Sequence, residues 1–327
     1  MNPNYYPGLV GIRNTQDSML STLLLDNFIT FFDWGFLDKG GFNNINTPES
    51  GMYGGDKSVL RMANDPNYAK GKVWQGFREN WVWETGVSYS TQPNTISGLY
   101  VNNSFIPYQY NPTSGYYLGS GPSGYRIDYT DGRVIFNNPL SSTANVQLSY
   151  SYKWIKVDRA EGIAFFRQIQ NNDFKLDNNF LKGSGDWVQL GQTRVQLPAV
   201  FVEVVPNATY EPFQLGGGQW ANTDILFYVM SNREPDCANI QRMISYQNDR
   251  YIYFFDSNII SRSGAYPLTY KNDLVDPKYN YPHWLNNYSH AQCRIFDSKI
   301  NNIAQIAVDF YMGTVRVSTQ VELATVT

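Results

Sequence analysis

Apolar residues recur at three- and four-residue spacing behind Ser18: Met19, Leu20, Leu23, Leu24, Phe28, Ile29, Phe31 and Phe32. The spacing predicts a helix capped by Ser18 and ended by Trp34-Gly35 and Gly40-Gly41. Leu23-Leu24-Leu25 and Phe31-Phe32 make its apolar face wide, so it must be buried against other elements of this chain or of a neighbouring subunit. Residues 1–15, with Pro3, Pro7, Gly8 and Gly11, read as an arm in front of it. Residues 38–70, rich in Gly, Asn, Asp and Ser, read as loop.

From Val73 to Val157 the period changes to two. Trp81, Trp83, Val87 and Tyr89 alternate, and Gly98 to Ile106 forms another candidate strand. Tyr125 to Tyr129 and Arg133 to Phe136 flank Thr130-Asp131-Gly132, and an Asp-Gly pair between two β-type runs predicts a hairpin. Val146, Leu148, Tyr150, Tyr152 and Trp154 alternate with polar residues along a long strand. Short strands separated by turns predict an antiparallel β-sandwich or barrel-like domain over residues 72–157.

After Asp158 helical and strand periods mix. Ile163, Phe165, Phe166 and Ile169 predict a helix over 159–170, and Leu197 to Val205 reads as a buried strand. Asp224 to Met230 predicts a second strand. Pro235 and Asp236 open a helix with Ile240, Met243 and Ile244 on one face. Ile252 to Phe255 is a short strand, residues 257–290 read as a Tyr-, Pro- and Asn-rich loop, and Asn302 to Phe310 and Thr314 to Thr327 close the chain as strands. The fold class is therefore α+β in three parts: an N-terminal arm, helix and loop (1–71), the β domain (72–157) and an α/β domain (158–327).

Composition sharpens this picture. Aromatics make up 16% of the 327 residues, with 25 Tyr and 19 Phe, while charged residues also reach only 16%, below the usual quarter. Tyr with abundant Asn suits broad contact surfaces, and Tyr is equally at home in strands. A 42% apolar content with a net charge of −3 excludes a disordered chain. The start, MNPNYYPGLV, lacks the basic and apolar regions of a secretory signal. Asp26, Asn27 and Asp33 interrupt the most apolar stretch, so no membrane span is expected. Without a run of Lys or Arg, neither specific nucleic acid nor an anionic membrane is an expected partner.

Candidate chemistry is sparse. Gly119-Ser120-Gly121-Pro122-Ser123-Gly124 has the glycine spacing of a dinucleotide loop, but Pro122 interrupts it and a strand follows, so it reads as a hairpin loop. Gly216-Gly217-Gly218 lacks the Lys-Ser/Thr of a phosphate loop. His283, His290, Cys237 and Cys293 do not have structural-zinc spacing, and the cysteines read as small core residues. Asp128 and Asp131 flank a turn, where Asp is favoured for its geometry. The reading is a protein that is not an enzyme, with no cofactor and no nominated catalytic, cofactor-binding or metal residues.

Leu197 to Asp256 carries a distinctive order: LPAVFVEVV, a loop ending in PFQLGGGQW, then TDILFYVMS, then CANIQRMISYQ. This resembles the tail-terminator and related neck proteins of tailed bacteriophages. The resemblance implies that Val200, Phe201 and Val202 lie on one strand, that Leu226, Phe227 and Tyr228 lie on the next, and that the helix with Ile240 and Met243 packs on the sheet. It also implies a virion protein, assembled in the host bacterial cytoplasm, that forms a ring with itself, a hexamer. That ring would meet the tail tube and head–tail connector proteins, and a sheath if the tail is contractile. The arm and aromatic helix are expected to reach a neighbour in that ring. Other virion slots (head closure, collar or baseplate) and a carbohydrate-binding β protein remain as alternatives.

Overall fold

The structure is a computed structural model that describes residues 16–47, 55–120, 124–160, 196–206, 208–212 and 219–323. Strand outweighs helix, 43% against 19%, so sheet sets the architecture of this mixed α+β chain. The N-terminal half runs α1 (Gln16–Asp38), β1 (Phe42–Ile45), a short α2 (Gly55–Ser58), β2 (Val59–Met62), β3 (Val73–Gln75), β4 (Gly98–Val101), β5 (Ser104–Asn111), β6 (Tyr116–Gly119), β7 (Tyr125–Asp128), β8 (Arg133–Phe136), β9 (Val146–Leu148) and β10 (Tyr150–Lys153). The C-terminal half runs β11 (Lys156–Arg159), β12 (Ala199–Val204), β13 (Thr209–Pro212), β14 (Gln219–Ser231), α3 (Glu234–Ser245), β15 (Arg250–Phe255), α4 (Ser257–Arg262), α5 (Tyr281–Tyr288), β16 (Ser289–Ile300), β17 (Ala304–Ala307) and β18 (Phe310–Leu323). The helix expected over 159–170 lies almost wholly outside the described residues, apart from Arg159, which ends β11, and Ala160 after it.

The first sheet has the order β6-β5-β4-β9-β2-β3-β8-β7 and curls into a near-closed barrel. β6 and β7 stand at opposite ends of that order, and Tyr125 brings them together. Its ring lies where a side chain on Gly119 would sit, stacks on Tyr108 at 5.9 Å, and its hydroxyl donates to the Ile106 carbonyl at 2.9 Å. Curling this far removes the exposed edges that an open sheet presents. The barrel core is aromatic: Trp74, Trp81, Tyr108, Tyr125, Phe136 and Tyr150 are buried with Leu60, Leu99, Ile127, Val134, Val146 and Leu148.

Turn chemistry explains much of this sheet. Asp131-Gly132 joins β7 to β8 as expected, with Gly132 at φ +61° under the Arg78 carbonyl. The run from Gly98 to Ile106 is two strands, because Asn102 and Asn103 both take positive φ and make a two-residue hairpin between β4 and β5. The long strand from Val146 to Trp154 is broken at Ser149, and β10 leaves β9 to pair with β1. Residues 81–89 are not a strand. Trp81 makes one bridge to Tyr152, and Val82 and Val87 are buried because they line the junction with the C-terminal half.

The second sheet, β11-β12-β14-β18-β16-β15, is a half-barrel with β13 and β17 flanking it. Among the described residues its pairs are antiparallel except β11 with β12, and its helices are not crossovers between parallel neighbours. The domain read as α/β is therefore of the α+β kind. An open sheet cannot cover its own apolar face, and here α1 and α3 do so. Leu20, Leu24, Phe28 and Phe32 from α1 and Cys237, Ile240 and Ile244 from α3 pack against Val200, Val202, Ile225, Phe227, Val229, Val315 and Val317. Phe28 and Phe32 meet Phe227 at 6.1 and 5.0 Å. Of the two expected burials for the wide face of α1, the structure shows the one within its own chain. Buried Asn27 on α1 fixes this docking, giving a hydrogen bond to the Phe255 carbonyl and taking one from the Phe255 amide.

Residues 257–290 are not simply a loop. They hold α4 and α5, and between them the chain crosses to the barrel. Leu268 and Leu274 enter the barrel core, Asp273 pairs with Arg126 at 3.1 Å, and the Leu274 carbonyl accepts from the Tyr117 amide. A third core of Trp34, Leu37, Val82, Val87, Phe255, Tyr281 and Trp284 fills the junction. Beside it Lys153 donates to Asp33 and Glu84. Burial holds the Glu84 carboxyl above its usual range, and the two carboxylates keep Lys153 protonated against its own burial. No helix among the described residues is long and apolar enough to cross a membrane.

Candidate functional site

A cleft of about 800 Å³ opens where α1, α3, α5 and the segment after β10 converge. The α1 spacing builds one wall. Leu24, Phe28 and Phe32 face the sheet, so Phe31 and Trp34 turn toward α5 and the cleft. Phe31 meets Phe32 at 5.0 Å and Tyr281 at 6.1 Å, both edge to face. The helix then stops abruptly. The Gly41 amide donates to the Phe36 carbonyl and the Gly40 amide to the Leu37 carbonyl, with Gly40 at φ +89°, a Schellman termination that places Asp38 to Gly41 on the rim.

The other walls come from Trp154, from Tyr281 and Leu285 of α5, and from the end of α3. Met243, expected on the buried face of that helix, is 38% exposed and lines the cleft; Cys237, Ile240, Gln241 and Ile244 form the buried face. Tyr246 caps α3 and is 83% exposed at the mouth. Arg250, at the start of β15, lies 5.2 Å over the Phe31 ring and donates to Gln247 Oε1 at 2.6 Å. The result is a wide aromatic surface with Arg250 over one of its rings and the Asp38–Lys39 pair at its rim, suited to binding an apolar group that carries a negative charge beside it.

A second exposed apolar feature lies on the same half. β17 folds back on β18 through Val308-Asp309, with Asp309 at φ +56°. The tip of this hairpin arm exposes Ile306 and Val308, the latter at 82%, and Ile300 is exposed at the arm's base. Apolar side chains held out on a hairpin signal a contact surface.

The residues screened for chemistry from the sequence fall elsewhere. Cys237 and Cys293 are free and buried in the C-terminal core, and burial pushes their thiols up to about 11 and about 12. His283 packs between Tyr279 and Tyr288 on α5. Among the described residues no group of three or more His, Cys, Asp or Glu is placed to hold a metal ion. The Gly119 to Gly124 motif leads from β6 to β7, two strands at opposite ends of the barrel's order, so it stands before a strand rather than a helix but does not join a paired hairpin. Gly216 to Gly218 and the middle of that first motif lie outside the described residues.

Asp128 and Asp131 belong to a structural cluster. Arg133 reaches Asp65, Asp128 and Asp131 at 2.8 to 2.9 Å, and Asp128 also accepts from the Asp131 amide within the turn. Glu79 lies close by, with its amide on Gln196 Oε1. Burial, opposed by Lys156 and reinforced by Asp131, pushes its carboxyl up to about 7. The cleft was invisible to sequence reasoning because four distant segments compose it.

No protein-family model matches this chain, and no curated protein is significantly similar to it.

Proposed function

We propose that the chain is a structural protein of a tailed-phage virion, a ring-forming tail terminator at the head–tail neck that caps the tail tube and joins it to the connector. The observation that carries this reading is a pair of separate apolar features, the aromatic cleft with Met243 and Tyr246 exposed on it and the hairpin arm with Ile306 and Val308 exposed on it. Large apolar surfaces of this kind serve association. The order β12, β14, α3, with α3 packed on the sheet, supports the resemblance drawn from Leu197 to Asp256. Partners in this reading are further copies of the chain, the tube, the connector and, in a contractile tail, the sheath. Head closure, collar and baseplate are neighbouring slots that the same surfaces would serve.

The aromatic lining of the cleft favours one other class, a carbohydrate-binding β protein that stacks sugars on Phe31, Trp34 or Tyr246. Mass photometry and negative-stain imaging of the purified protein separate the two. The assembly reading expects closed rings at micromolar concentration. A monomer that retains glycans on an array would overturn it.

A further inference from the structure

We infer that the hairpin arm of one copy seats in the aromatic cleft of the next, so that the chain assembles head to tail through these two surfaces. The inference rests on the assembly reading above and names the contact that produces it.

Three observations point to a second copy as the occupant. The arm tip presents apolar Ile306 and Val308 on the outside of a two-residue turn, and the cleft offers Phe31, Trp34 and Tyr246 to receive them. The charges match. Asp309 follows Val308 at the tip and is exposed, while Arg250 stands over the cleft held by a ring face and an amide oxygen; neither joins an ion pair among the described residues. An exposed pair of this kind contributes little strength and instead fixes which way the arm enters.

The two surfaces also lie far apart on one chain. Ser231, just before α3, pairs with Tyr311 at the base of the arm turn, and Tyr246, just after α3, lines the cleft. The 12 residues of α3 rise about 18 Å. A tip at one end of this helix and a cleft at the other place complementary patches on different parts of the same molecule. Such a contact is heterologous: each copy uses its tip on one neighbour and its cleft on another, and a ring follows where the rotation closes.

The test uses the full chain with Val308→Asp, which spoils the tip, and Tyr246→Asp, which spoils the cleft. Both side chains are more than four-fifths exposed, so the melting curve is expected to match the wild type. By mass photometry the wild type forms rings, and each variant alone weakens association roughly tenfold or more, since each disrupts the centre of the contact. Mixed in equal amounts, the variants form a one-to-one pair and stop there, because each retains one working half. If the wild type forms rings and either variant does so equally well, the arm-in-cleft contact is overturned, the cleft is left for another occupant, and the assembly reading stands. If both variants fail and the mixture yields no pair, the two surfaces do not meet each other and the contact is again overturned. A monomeric wild type overturns the contact and the assembly reading together.

Discussion

The barrel and the half-barrel solve the same problem in different ways. Both are sheets with one apolar face. The barrel curls until Tyr125 of β7 meets Gly119 of β6, so its own strands cover that face. The half-barrel stays open and is covered by α1 and α3, with side chains such as Leu24, Phe28 and Ile240 in place of further strands. The difference accounts for where the cleft and the arm stand. A sheet that curves onto itself leaves short edges, whereas one capped by helices leaves helix ends and hairpins projecting beyond the cap. The cleft lies where the ends of α1 and α3 converge, and the arm extends from β18. The two halves are not independent, because each lends the other a segment: α1, N-terminal to the barrel, covers the half-barrel, and Leu268 and Leu274 from the C-terminal half sit in the barrel core.

The largest effect is expected from Phe28→Ala. Phe28 is fully buried and touches Phe32, Phe227 and Phe254. Truncating such a side chain costs about 3–5 kcal/mol. If covering by α1 is what stabilises the open sheet, hydrogen exchange will show β14 and β18 losing protection while β4 and β9 keep theirs. Equal loss in both sheets would break the comparison and make the molecule one cooperative unit.

Lys153→Met tests the junction. It leaves Glu84, buried, and Asp33, mostly buried, without their cation. Removing one partner of a buried pair costs about 3–5 kcal/mol at the upper end, and Asp33 is open enough to water to put the expected loss nearer about 3. Adding Glu84→Gln is expected to recover part of it, as read from urea midpoints. No recovery would mean that the Lys153 stem packing, rather than the charge, holds the halves together.

Which parts of this arrangement the sequence discloses follows from range. Asp131-Gly132 announced its hairpin because the signal is local, and β12, β14, α3 and β15 were legible from unbroken apolar runs. Asn102-Asn103 acts as an Asn-Gly pair would, yet without the glycine the two strands read as one. β16 escaped because its inward residues are Ala291, Cys293 and Ile295, weak signals that end at a bulge between Ile295 and Asp297. The wide face of α1 showed that the helix is buried; only the fold shows against what. Residues 264–280 looked like loop because their few apolar residues, Leu268 and Leu274, are spent in another unit's core. The cleft, composed of four segments, left no local pattern at all.

The smallest expected effect is a pH dependence carried by Glu79, which lies between the halves with its amide on Gln196 and its carboxyl in the field of Lys156, Arg133, Asp131 and Asp128. Burial raises this carboxyl from 4.5 to about 7, so the folded state holds a proton that the unfolded chain has released. A raised folded value contributes stability that is fully present below about 4.5 and lost as pH climbs through about 7. The shift converts to at most about 3 kcal/mol, and partial exposure of the group reduces that to about 1–2. Glu79→Gln, which stays neutral, is therefore expected to melt close to the wild type at pH 4 and above it at pH 8. Were the difference flat with pH, Glu79 would be solvated and ionised in the folded protein, and the halves would meet through apolar contacts and the Lys153 cluster without a titrating group between them.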